Sequence, residues 1–267
     1  MKLAVFFALL VGAAVAILFS VFPEWDLAIT AAFWDAGAGR FHVAGLEWSK
    51  AVRSAANIIP WLFAGPAFVA IALKLIFPDR RMYLPARAAV LLAVTMALGP
   101  GLIVNGLLKE HWGRPRPVHL ETFGGKDVFN PWYSYGGACP TNCSFVSGEG
   151  SLGFWLLAPA SLLPSPYKGV ALVAAAGFGA LAGGLRIAFG GHFFTDVVFS
   201  AVLTVLLIAL TRFLLYDRKA PPSDASVEAG IASLGRTLHR LLRAGWRAAG
   251  AGISAARAHL PRRRSGL

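Results

Sequence analysis

Charge is scarce in this chain. Asp, Glu, Lys and Arg make up 14% of its 267 residues, whereas an ordinary soluble domain carries about 25%. That leaves too little polar surface to wrap a water-soluble globule. Acidic residues are the scarcest: 13 Asp and Glu face 25 Lys and Arg, for a formal net charge of +12. Cysteine is limited to Cys139 and Cys143. A CxxxC pair alone offers too few ligands for a structural zinc site. It leaves either a disulfide, which an oxidising compartment permits, or two free thiols. No cluster of Asp, His or Cys has metal-ligand spacing, so neither a metal nor any other cofactor is expected. Internal repeats are missing, and so is the alternating ten-residue pattern that builds a membrane barrel.

What the chain has instead is long apolar runs. Hydrophobic residues make up 57% of it, and the mean hydropathy is +0.62. Crossing a bilayer takes roughly 20 such residues, and six segments approach that length: about 3–22, 57–77, 87–108, 150–165, 168–188 and 193–216. The fourth is short, and the last two are separated only by a turn at Gly190–Gly191. In lipid every backbone N–H and C=O must be paired within the segment, so these runs should be helices. The expected fold class is all-α, a polytopic membrane protein with a six-helix transmembrane bundle over residues 1–217 and a basic cytoplasmic tail over 218–267. The first run could serve as a signal peptide, with Lys2 ahead of it and Ala14-Val15-Ala16 imitating a cleavage site. It continues to Phe22, however, which favours an uncleaved helix.

Positive charge orients the bundle. From Asp217 to Leu267 there are ten Arg and Lys against three Asp and Glu. Arg80, Arg81 and Arg87 fall between spans two and three, and Lys168 between spans four and five. Cytoplasmic loops collect such residues. The tail therefore suits the inner leaflet rather than nucleic acid. Both termini would be inside, and segments 23–56, 109–149 and 189–192 outside. Segment 23–56 holds Trp25, Trp34 and Trp48 and reads as one or two interfacial helices interrupted at Gly37–Gly39. In the tail, Val227, Ile231, Leu234, Leu238 and Leu241 recur at helical spacing, with Arg236, Arg240, Arg243 and Arg247 mostly on another face. This is either a basic amphipathic helix or a disordered segment, and Pro261 to Arg264 should be a frayed end.

The unusual polar residues gather in three segments near the outer boundary. Lys109 to Pro117 closes span three and offers Lys109, Arg114 and Arg116. Arginine can grip phosphate bidentately, and lysine acts as a point charge. Alone this is a weak signal, because cations beside a span are common. Ser147-Gly148-Glu149 opens the fourth run. Its N–H groups could cradle an anion, while Ser147 adds a donor or merely caps the helix. Arg186, His192 and Asp196 straddle the junction of the last two spans. His192 and Asp196 are four apart and share one helical face, so the carboxylate can fix the imidazole tautomer and leave the other nitrogen free to attack. A single His or Arg here would be an interfacial anchor, but ionisable residues beside spans mark function by default when they come as a set. Cations, backbone donors, an oriented nucleophile and one acid together describe phosphoryl transfer.

At this point the sequence resembles the type 2 phosphatidic acid phosphatase superfamily, which includes the vanadium haloperoxidases. The family pattern is Lys-x6-Arg-Pro, Pro-Ser-Gly-His, then Ser-Arg-x5-His-x3-Asp. The first is complete from Lys109 to Arg116-Pro117. The second reads Val146-Ser147-Gly148-Glu149. The third runs from Arg186 through His192 to Asp196, with Leu185 in place of serine. The resemblance covers about residues 3–216. It implies that Lys109, Arg116, Arg186, Ser147 and Gly148 bind phosphate. It also implies that His192 forms a phosphohistidine oriented by Asp196, and that Glu149 occupies the place of the acid that protonates the leaving group. The stretch 136–149 is also similar to a bacterial subgroup related to lipid A phosphatases, which implies an inner-membrane protein with a periplasmic site. Expected partners are the bilayer and a phosphorylated lipid: lipid A, phosphatidic acid, phosphatidylglycerophosphate or polyprenyl pyrophosphate. The competing reading is a catalytically silent membrane protein that binds or moves phospholipids, with Glu149 marking lost chemistry. The oligomeric state is not legible.

Overall fold

The computed structural model describes residues 2–258. α1 (Lys2–Val21) crosses first. At its far end come a short α2 (Glu24–Ala31) and an antiparallel ribbon of β1 (Trp34–Asp35) on β2 (Arg40–Phe41). α3 (Glu47–Ile76) and α4 (Ala86–His111) follow, then a long loop and two short helices, α5 (Gly148–Phe154) and α6 (Leu157–Leu162). α7 (Tyr167–Ala188) and α8 (Phe194–Asp217) close the bundle, and α9 (Asp224–Ala258) is the tail. Five of these helices, α1, α3, α4, α7 and α8, are long and apolar enough to cross a membrane. The chain is an all-α integral membrane protein.

The expected fourth span is not one helix. Pro159 has no N–H to give the Trp155 carbonyl, and its ring presses on that group. The helix therefore breaks at Trp155–Leu156 into α5 and α6. Both are wrapped by their neighbours. Trp155 is fully buried, and its indole N–H donates to Thr95 Oγ1 at 2.8 Å. The Ser151 and Thr204 hydroxyls pair at 2.9 Å. A Cβ on Gly153 would stand 3.0 Å from the Cα of Gly179, so α5 and α7 touch backbone to backbone. A segment buried in protein need not match the bilayer in length.

Two further departures bear on the site. Residues 47–56, expected in the outer interfacial segment, are the first turns of α3. α4 is a π-helix from Ala97 to Leu108 around Pro100. Proline interrupts the regular ladder there, and Asn105 Nδ2 returns a donor to the Pro100 carbonyl at 2.7 Å. The tail is helical from Asp224 to Ala258 and docks where α3 ends and α4 begins. Glu228 pairs with Lys74 at 2.8 Å, Asp224 with Arg87 at 2.9 Å, and Arg236 with Asp79 at 3.3 Å. Leu234, Leu238 and Leu241 remain exposed on it. Pro261 to Arg264 lie outside the described residues.

Candidate active site

Backbone hydrogen bonds draw the three polar segments together at one end of the bundle. The loop 136–144 is zipped onto the exit of α4: Gly136 N–H donates to Trp112 O, Cys139 to Gly113 O, Cys143 to Lys109 O and Ser144 to Arg114 O, all between 2.8 and 3.1 Å. Gly113 makes this approach possible. Its φ is +81°, and a Cβ there would sit 2.6 Å from Gly137 N. Cys139 and Cys143 are joined as a disulfide with Cα atoms 5.7 Å apart. Ser147 N–H donates to Asp196 O at 3.1 Å, fastening the start of α5 to the start of α8. Val118 N–H reaches Gly190 O at 2.9 Å, closing the loop over the α7–α8 turn.

His192 sits in that turn and is buried. Its Nδ1 lies 2.7 Å from the Ser144 carbonyl oxygen. A carbonyl can only accept, so Nδ1 carries the proton and Nε2 keeps its lone pair. Asp196 was expected to take that proton directly. Its Oδ2 is 3.6 Å from Nδ1, close enough to stabilise a positive ring but outside hydrogen-bond range. The Asp196 carboxylate is instead filled by Arg114 Nη1 at 2.6 Å, Ser144 Oγ at 2.5 Å and Phe193 N–H at 2.9 Å. Burial, opposed by Asp196, pushes the His192 pKa down to about 4, so the ring is neutral at pH 7.

The cations surround this ring unequally. Arg186, largely buried, packs so closely on Gly191 that a Cβ there would overlap its guanidinium. Lys109 lies against α5: a Cβ on Gly148 would be 2.8 Å from its Nζ and 2.9 Å from Asn105 Oδ1. Arg116 is half-buried and donates to the Asn142 carbonyl at 2.9 and 3.0 Å and to its side-chain oxygen at 2.7 Å. Ser147 caps α5 by accepting from Gly150 N–H at 3.1 Å. Arg114, grouped by sequence with the phosphate cations, is fully buried and structural. It bridges Asp196 and Asp26, the latter at 2.8 Å.

Sequence reasoning missed Arg53. It makes a two-pronged bond to Glu149, Nη2 to Oε1 at 2.6 Å and Nε to Oε2 at 3.0 Å, and Asn57 Nδ2 adds a contact at 3.3 Å. Arg186 Nε is 3.3 Å from the same carboxylate without a formed hydrogen bond. Ser144, Asn105 and Asp26 were missed as well. A cavity of about 460 Å³ leads from Lys109, Gly148 and Glu149 past Asn57 to Trp61, Phe68 and Met96, where the wall is apolar. Among the described residues no three His, Cys, Asp or Glu come together as a metal site would need.

Residues 88–220 match the PAP2 superfamily. The chain is 36% identical over 205 residues to the lipid A 4'-phosphatase of Francisella tularensis subsp. novicida (strain U112), covering 76% of this chain and 91% of that protein. It belongs to the PAP2 superfamily. Lipid A 4'-phosphatases of Rhizobium leguminosarum and Rhizobium etli are each 40% identical to this PAP2 chain over 44% of its length. The matched parts are 52% and 47% of those two proteins. No solved structure matches the chain. The matched region holds all three polar segments but not Arg53.

Proposed function

We propose that this chain is a lipid phosphatase of the bacterial inner membrane, with its site on the periplasmic face and the phosphate monoester of lipid A as its first candidate substrate. The observation that carries the reading is a neutral His192 of fixed tautomer in the field of Lys109 and Arg186, with Lys109 also lining the polar end of a cavity whose other end is apolar. A phosphorylated lipid is amphipathic in the same sense. The similarity to lipid A 4'-phosphatases supports lipid A.

In this reading His192 Nε2 attacks phosphorus, forming an N–P bond while the P–O bond to the lipid breaks. Lys109, Arg116 and Arg186, with the Gly148 N–H and Ser147, hold the phosphoryl oxygens and offset their growing charge. Asp196 stabilises the ring as it turns cationic. Water then cleaves the phosphohistidine and releases phosphate. The leaving oxygen takes up one proton, the task the sequence pattern assigns to Glu149.

Purified protein should release phosphate from lipid A in preference to phosphatidic acid, phosphatidylglycerophosphate and polyprenyl pyrophosphate. Release should persist in excess chelator, because protein cations supply the charge. Loss on chelation restored by a divalent ion would reject this mechanism. No release from any of the four lipids would favour the silent, lipid-binding reading. Orientation is tested separately. Lys74, Arg80, Arg87 and the docked tail share the end opposite the site, and that concentration of positive charge supports a cytoplasmic position for it. A Lys126→Cys variant should react with an impermeant thiol reagent from the periplasm. Labelling from the cytoplasmic side alone would invert the topology.

A further inference from the structure

We infer that Arg53 is a further phosphate-binding cation of this site and that Glu149 is the positioning residue that holds it there, not a proton donor. The inference rests on the phosphatase reading above. It begins from the one position where the chain departs in charge type from the family's pattern, Glu149 in place of histidine. That carboxylate accepts both prongs of Arg53 and a bond from Asn57, with the Arg186 guanidinium alongside. Donors of this kind favour the ionised form. An ionised carboxylate has no proton to give a leaving group.

The same geometry gives the carboxylate other work. Arg53 comes from α3, and its side chain is 43% exposed. An arginine so placed would otherwise extend into water, away from the repulsion of Lys109, Arg116 and Arg186. Glu149 supplies the negative charge that lets a fourth cation stay. Arg53 and Arg186 end as a pair: each guanidinium carbon lies 5.8 Å from the centroid of the Phe189 ring. Glu149 also lines the cavity between α3 and α4 with Asn57 and Lys109, so the tethered guanidinium stands one hydrogen bond from that lining. The Glu149–Arg53 unit thus presents a cation at a place where the family pattern has a titratable ring.

The test is competitive inhibition by inorganic phosphate, with turnover of an alkyl and an aryl phosphate ester, for Arg53→Gln, Glu149→Gln and the double variant. Loss of a charge-assisted bond to phosphate predicts about a tenfold or larger rise in the inhibition constant for Arg53→Gln. Glu149→Gln should show a similar rise, and the double variant should add little to Arg53→Gln. Arg53→Lys should recover part of the loss. Turnover losses should be equal for the two esters, since neither residue protonates the leaving oxygen. An unchanged inhibition constant in both single variants overturns the proposal. So does a Glu149→Gln defect confined to the alkyl ester, which would restore the acid role. If the wild type cleaves no lipid, calorimetric phosphate binding to His192→Ala and to His192→Ala/Arg53→Gln still decides the point. Equal affinities would sink the Arg53 assignment independently of the enzymatic reading.

Discussion

His192→Ala is expected to abolish phosphate release, by roughly four orders of magnitude or more, because no neighbour can replace a nucleophile that forms the covalent intermediate. The alanine variant also strands the Ser144 carbonyl, which now accepts from Nδ1 at 2.7 Å. His192→Asn provides the cleaner comparison, since its side-chain amide places an N–H near where Nδ1–H sits. It should unfold close to wild type and still fail to turn over. The proton state is separately measurable. Burial holds the imidazole pKa down at about 4 against the pull of Asp196. The ring should therefore stay neutral, with the Nδ1–H tautomer, as pH falls from 7 to 5. It should protonate, and lose its attacking lone pair, only as pH falls through about 4. Nitrogen chemical shifts of labelled histidine read this directly. A ring already charged at pH 6, or turnover remaining in both variants, would remove His192 from the role of nucleophile.

The sequence carries the three polar segments plainly because each is local. Lys109 to Arg116, Ser147 to Glu149 and Arg186 to Asp196 announce themselves by spacing, and the fold brings all three together. Partners that act through the backbone leave no such trace. The Ser144 carbonyl orients His192, and any residue at 144 would bring a carbonyl. Arg53 was hidden for another reason. It lies 96 residues from Glu149 in a stretch that reads as an interfacial segment outside the spans, because the apolar run that marks α3 starts only near residue 57. Pro159 was a visible signal that the fourth run would break, outweighed by the length of apolar sequence around it. Arg114 and Arg116 look alike in sequence with Pro115 between them. Only the fold shows that one faces the loop and the other is sealed between two carboxylates.

That sealed arginine carries the second large effect. Arg114 is fully buried and holds Asp26 at 2.8 Å, Asp196 at 2.6 Å, Thr195 Oγ1 at 2.8 Å and the Asn130 carbonyl at 2.9 Å, with the Phe193 ring 4.0 Å from its guanidinium carbon. Asp26 in turn accepts from Thr195 N–H and Oγ1. This is what pins α2 and the α4 exit to the start of α8. Arg114→Met keeps most of the volume and strands two buried carboxylates. Removing one member of such a network costs about 3–5 kcal/mol, which for a chain of this size lowers the melting temperature by roughly 10 °C. Burial already pushes the Asp26 carboxyl above its usual range against the pull of Arg114, so Asp26 is the carboxylate that would take up a proton first. Asp26→Asn added to Arg114→Met removes that stranded charge in advance. It should recover a substantial part of the lost stability, although Asp26→Asn alone should be mildly destabilising. Arg114→Lys should rescue little, because one ammonium cannot reach acceptors arranged on three sides. Thermal unfolding of the four variants in one detergent at neutral pH checks this. If Arg114→Met melts within about 3 °C of wild type, or if Asp26→Asn worsens it, Arg114 is not the counter-ion that holds α8 and His192 in place.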